Sequence, residues 1–175
     1  MSSAAVGQIY LVGFMGAGKT TVGRALGTML AWGFADLDEI ICQRRGKSIP
    51  DIFRDHGEAL FRTEEHSVLV SLSRVPNVVV ATGGGTYVSE ENRSLIEAAG
   101  WSVWLRVSLA EAVRRCESGA GRPLMGTRAE TEALFRHRQE FYRCARTEVD
   151  TESIPPGQVA ERLLERLLAS GFRHR

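Results

Sequence analysis

The sequence predicts an α/β protein built on a parallel sheet, and three observations carry that reading. Segments of strand character alternate with segments of helical periodicity along the whole chain. Asn77-Val-Val-Val-Ala-Thr82 is a β-branched run without polar alternation, the pattern of a central strand covered on both faces. Gly13-Phe-Met-Gly-Ala-Gly-Lys-Thr20 matches G-x-x-x-x-G-K-[ST] and lies between a strand candidate and a helix candidate.

The elements follow in order. Strand 8–13 precedes the glycine loop, and helix 19–31 follows it, with Val22, Leu26, Met29 and Leu30 at helical spacing. A short strand at 33–36 leads into helix 37–46, and helix 57–74 carries Leu60, Phe61, Val68 and Leu72. Strand 77–82, helix 89–99, strand 101–107, helix 108–117, helix 128–145 and strand 147–151 continue the alternation. In the last helix, 157–169, Val159, Leu163, Leu164, Leu167 and Leu168 form an apolar stripe assigned to the core. Pro155-Pro156-Gly157 reads as its entry. The stretch Glu117–Gly126 breaks the pattern; its glycines, proline and lone Arg122 suit either a mobile lid or an ordinary surface connection.

The length of 175 residues predicts a single domain spanning 1–175, large enough for a full core. A net charge of +1, from 22 basic and 21 acidic residues, argues against nucleic acid or an acidic membrane as partner. Cys42, Cys116 and Cys144 are far apart with no C-x-x-C pair, which suggests reduced thiols and no metal-ligand spacing. The N-terminal stretch lacks the features of a secretory signal, and no apolar run has membrane-spanning length, so the expected location is the cytoplasm.

The glycine loop predicts a nucleoside triphosphate ligand. Backbone N–H groups freed from side-chain crowding can wrap phosphates, and the following helix favours their negative charge. Lys19 would reach the β/γ-phosphates and the Thr20 hydroxyl would ligate Mg²⁺. The buried strand 77–82 runs into Gly83-Gly-Gly85 rather than into an acid, so the loop after it is either a ligand-facing run of bare backbone or a flexible turn. The nearest acids are in Asp36-Leu-Asp38. With a strand period of two, both carboxylates would project the same way, one toward metal and one toward substrate; alternatively one of them caps the next helix. Arg62 is either functional or paired with Glu58 or Glu65, and Arg138 is equally ambiguous. The four histidines form no cluster and receive no role.

Along essentially its whole length the chain resembles the shikimate kinases. The resemblance rests on Gly13–Gly23, Asp36-Leu-Asp38, Ser48–Phe53, Gly57–Glu65, Thr82–Gly85, Arg122-Pro-Leu124 and Arg138–Tyr142, in the family's order. It implies a three-layer α/β/α P-loop kinase fold similar to nucleoside monophosphate kinases, with five parallel strands in the order 2-3-1-4-5 and a lid at about 117–126. It also implies ATP-dependent phosphorylation of the 3-hydroxyl of shikimate, with Mg²⁺, by a cytoplasmic monomer. Residue by residue, Gly16, Ala17, Gly18, Lys19, Thr20 and Thr21 would hold the phosphates, and Asp36 would join Thr20 around the metal. Asp38 would orient the nucleophilic hydroxyl, Arg62 and Arg138 would clamp the carboxylate, and Gly83, Gly84 and Gly85 would contact the ring. Arg122 would approach the phosphates from the lid, and Arg115 and Pro156 would flank adenine. A gluconate kinase shares the loop, but not Arg62, the glycine triplet and Arg138 together.

Overall fold

The computed structural model describes residues 7–120 and 126–173, with nothing stated of the side chains at 119 and 120. Five strands, β1 (Gln8–Val12), β2 (Gly33–Asp36), β3 (Val78–Ala81), β4 (Trp101–Arg106) and β5 (Thr147–Asp150), form one sheet in the order β2-β3-β1-β4-β5. Every neighbouring pair is parallel, in the registers Ile9↔Val79, Ile9↔Trp101, Phe34↔Val79 and Val103↔Thr147. The crossovers are made by α1 (Lys19–Leu30), α2 (Leu37–Arg45), α3 (Ile49–Leu72), α4 (Glu90–Ala99), α5 (Leu109–Arg115) and α6 (Arg128–Tyr142), and α7 (Pro156–Ala169) follows β5. Parallel strands joined by helices must be covered on both faces, and every residue of β1 and β3 is buried. Both the strand count and the order agree with the sequence expectation.

The topology decides where a ligand can bind. From β1 the chain passes outward to β2, back to β3, and then across to β4 on the other side of β1. Connections therefore diverge at the carboxyl end of β1, opening the crevice in which open α/β sheets hold ligands. The glycine loop fills that position, and the glycine triplet leaves the neighbouring β3 alongside it.

Three elements differ from the sequence reading. The helix expected over 57–74 begins at Ile49 and bends at Gly57, whose φ of 79° and ψ of 171° interrupt the helical path. A start signal was present: Ser48 accepts from the Asp51 N–H and Pro50 occupies the first turn. A single 3₁₀ turn, Thr86–Val88, follows the glycine triplet, and α5 runs into a π turn over Cys116–Ala120. Within α7, Val159, Leu163 and Leu167 are buried at i, i+4 spacing, whereas Leu168 is exposed because it lies one position off that stripe.

Candidate active site

The phosphate loop is shaped by glycines that no other residue could replace cheaply. Gly13, Gly16 and Gly18 have φ of 145°, 75° and 88°, values that side-chain-bearing residues rarely adopt. A Cβ at Gly16 would also sit 2.7 Å from the Ala112 carbonyl oxygen of α5. Gly18 is the N-cap of α1 and offers no side-chain cap, so the first N–H groups of the helix point into the crevice. Lys19 Nζ donates to the carbonyls of Gly13 (2.7 Å) and Phe14 (3.0 Å), which folds the ammonium back over the loop it serves.

The Thr20 hydroxyl donates to Asp36 Oδ2 at 2.7 Å. The other Asp36 oxygen accepts from the N–H groups of Asp38 and Glu39 at 3.0 and 3.3 Å, so Asp36 caps α2. This corrects the argument from strand period. The helix already begins at Leu37, and Asp38 stands in its first turn, 6% exposed. Asp36 and Asp38 nonetheless line the same cavity, because the strand ends where the helix turns inward. Thr20 and Asp36 are hard oxygen donors, suited to Mg²⁺ that takes its remaining ligands from phosphate and water. Among the described residues no group of three or more His, Cys, Asp or Glu could hold a metal by itself.

In the same cavity, α3 presents Arg62 between two acids. Its guanidinium donates to Glu58 at 3.0–3.1 Å and to Glu65 at 2.9 Å. Burial opposes the Arg62 charge, but Glu65 and Glu58 outweigh it and hold its pKa above the ordinary value. Glu65, 1% exposed, is pushed above the usual carboxylate range by burial, partly offset by hydrogen bonds from Thr86 and Arg62. Arg138 comes from α6, with its guanidinium 5.8 Å from the Phe14 ring centre.

The glycine triplet turns out to be a matter of space rather than of backbone freedom, since none of the three has positive φ. A Cβ at Gly83 would lie 2.6 Å from Glu65 Oε1 and 3.2 Å from Asp38 Oδ1. At Gly84 it would lie 2.9 Å from Arg138 Nη1, and at Gly85 2.6 Å from Arg62 Nη1. Each glycine thus makes room for a different charged side chain. Tyr142 holds the segment from below by donating its hydroxyl to the Gly84 carbonyl at 2.6 Å.

Elsewhere along the cavity, Arg115 joins two walls. It donates to the Gly16 carbonyl at 3.1 Å and to the Thr151 carbonyl at 2.7 Å, and Glu111 accepts from its Nε at 2.7 Å. Glu111 also takes two hydrogen bonds from Arg114, and the two arginines hold its carboxyl down at about 2. Pro155 and Pro156 complete that wall. All of these surfaces line one cavity of about 1090 Å³.

The shikimate kinase family model matches residues 15–168. The chain belongs to the shikimate kinase family. The shikimate kinase of Persephonella marina is 39% identical over 161 residues, covering 91% of this chain and 98% of the relative. A solved shikimate kinase from Acinetobacter baumannii in complex with shikimate superimposes with a TM-score of 0.88 at 34% identity, covering 96% of each chain. A gluconokinase from Sinorhizobium meliloti reaches a TM-score of 0.55 at 19% identity over 94% of this chain and 97% of its own, a likeness of fold alone.

In this family member every described residue singled out from sequence lines the cavity: Gly16, Ala17, Gly18, Lys19, Thr20, Thr21, Asp36, Asp38, Arg62, Gly83, Gly84, Gly85, Arg115, Arg138 and Pro156. Arg122, with half of the expected lid, lies outside the described residues. Sequence reasoning missed Glu65 as a site residue, although its i+3 spacing from Arg62 was a signal. It also missed Glu111, whose i, i+4 spacing from Arg115 was a signal of the same kind, and Thr86, for which no local signal exists because its partner Glu65 is 21 residues away.

Proposed function

We propose that this shikimate kinase works in the cavity just described, transferring the γ-phosphoryl group of ATP to the 3-hydroxyl of shikimate. The observation that carries the reading is the pairing of Arg62 and Arg138 against Gly85 and Gly84, in the cavity that the phosphate loop also lines. Two guanidinium groups suit a carboxylate, and Asp38 suits a ring hydroxyl. A rigid acid held between them would present one hydroxyl toward the loop. The shikimate bound in the Acinetobacter baumannii relative supports the assignment.

In the transfer, the acceptor oxygen forms a bond to the γ-phosphorus as the bridging bond to ADP breaks, and the acceptor proton is released. Positioning and charge neutralisation govern such a step more than a strong base does. Asp38 therefore chiefly orients the hydroxyl and takes its proton late. Lys19 exchanges its loop carbonyls for β/γ-phosphate oxygens, and the α1 N-terminus with Gly16, Ala17, Gly18 and Thr21 holds the rest of the chain of phosphates. Bound Mg²⁺ would neutralise phosphate charge, and Thr20 and Asp36 are the residues placed to hold it. Arg115 and Pro156 would bracket the base, and Arg122 would close over the phosphates and exclude water.

We further propose one domain over residues 1–175 with a lid at about 117–126, acting as a cytoplasmic monomer that does not bind nucleic acid. No described helix is long and apolar enough to cross a membrane. A coupled ADP-release assay tests the function directly. Shikimate is expected to drive ATP-dependent ADP release in the presence of Mg²⁺ and gluconate is not; equal rates with the two acids would overturn the assignment.

A further inference from the structure

Behind the acceptor side runs a chain of buried hydrogen bonds that the transfer itself does not use. Glu65, which accepts from Arg62 Nη1 at 2.9 Å, takes its second hydrogen bond from the Thr86 hydroxyl at 2.5 Å. The Thr86 carbonyl in turn accepts from Asn92 Nδ2 at 3.1 Å, and Asn92 Oδ1 lies 2.7 Å from His66 Nδ1. Glu65, Thr86 and Asn92 are 1%, 0% and 4% exposed, so water is a poor substitute partner at each step.

The directions along this chain are determined by its chemistry. The Thr86 carbonyl can only accept, so the Asn92 amide must present its NH₂ there and its oxygen to His66. That oxygen can only accept as well, so His66 must carry a proton on Nδ1. Its Nε2 then faces Glu91 at 3.3 Å, on the same first turn of α4 that supplies Asn92. Arg93 of this turn donates to the Tyr87 and Val88 carbonyls, so successive side chains of α4 hold the whole 3₁₀ turn that follows the glycine triplet.

We propose that Asn92 and His66 are positioning residues for the acceptor carboxylate clamp, acting through Thr86 and Glu65 on Arg62. This deepens the proposed function and rests on its assignment of Arg62 to the acid substrate. The need for such support follows from the geometry. Arg62 has two carboxylates within reach, the exposed Glu58 and the buried Glu65, and only the second is anchored against the turn beside Gly85. Loosening Thr86 frees Glu65, and Arg62 then loses the contact that aims it into the cavity.

Steady-state kinetics on the full chain, with shikimate and ATP varied separately, provide the test. Asn92→Leu is expected to raise KM for shikimate by about 3- to 10-fold, the loss of one hydrogen bond's worth of alignment, with KM for ATP unchanged within about 2-fold. His66→Ala, at a side chain 33% exposed, keeps the test available should Asn92→Leu fail to fold, and is expected to give a smaller rise of the same kind. Thr86→Val should reproduce the Asn92→Leu effect and Thr86→Ser should rescue it. In the Thr86→Val background, His66→Ala should add nothing further, because the two act in series. Additive effects there, or KM values for both substrates rising together, would overturn the proposal. Arg62→Ala separates the two levels. If it leaves KM for shikimate unchanged the clamp itself is wrong; if it raises KM while His66→Ala and Asn92→Leu do not, only the positioning role falls.

Discussion

The proposed phosphate side of the cavity comes from one continuous stretch, Gly13 to Thr20, joined by the distant carboxylate of Asp36. The proposed acceptor side is gathered from four places: Asp38 on α2, Arg62 and Glu65 on α3, the glycines after β3, and Arg138 on α6. The first is built from backbone, with positive φ at three glycines and open N–H groups at a helix start. The second is built from side chains that occupy the volume three absent Cβ atoms leave. One region is therefore contiguous in the chain, and the other exists only while several elements keep their relative positions.

That contrast can be broken by substitution. The largest effect is expected from Lys19→Ala, which removes the ammonium of the phosphate loop itself. Turnover should fall by at least about 100-fold, on the scale of losing a preorganised donor to developing charge, while a fluorescence or calorimetric titration still detects shikimate binding. Near-normal turnover would show that the loop is not the phosphate site.

Gly84→Ala and Gly85→Ala probe the other side at intermediate size. Each adds a methyl group that collides with a guanidinium, Arg138 in the first case and Arg62 in the second. Steady-state kinetics should show KM for shikimate raised by about 10-fold or more, the cost of misaligning a charge-assisted contact, with KM for ATP nearly unchanged. Equal loss of both affinities would erase the distinction between the two regions.

The smallest effect concerns Glu111, which lies on the nucleotide side and does not belong to the loop. Arg114 and Arg115 lower its pKa to about 2 in the folded protein. A depressed carboxylate stabilises the fold fully above its unfolded pKa and loses that contribution as pH falls through the folded value. Thermal melts of Glu111→Gln against the parent should therefore differ by a degree or so at pH 7, given the exposure of Arg114, and converge as pH falls from about 4.5 to 2. A gap that persists at pH 2 would show that charge is not what Glu111 contributes.

The phosphate loop was readable because its requirements are met within eight consecutive residues, and sheet order followed once the family resemblance was recognised. Helix α3 was half-read. Its periodicity after Gly57 is plain, but the turn from Ile49 was hidden by the glycine's extended ψ, although Ser48 and Pro50 marked the start. Asp36 and Asp38 line one cavity for a reason other than strand alternation, since helix geometry brings Asp38 beside Asp36. His66 had no visible role because its partner, Asn92, is 26 residues away and the hydrogen bond appears only after α3 and α4 pack.

By itself the sequence determined the alternating α/β order, the phosphate loop and the residues able to carry charge, because propensity, periodicity and glycine conformation are local properties. Only the tertiary structure decided that Glu65 joins Asp38, Arg62 and Arg138 around three glycines, and that Thr86, Asn92 and His66 stand behind them. Those contacts depend on the distance between elements that the chain separates, and packing sets that distance.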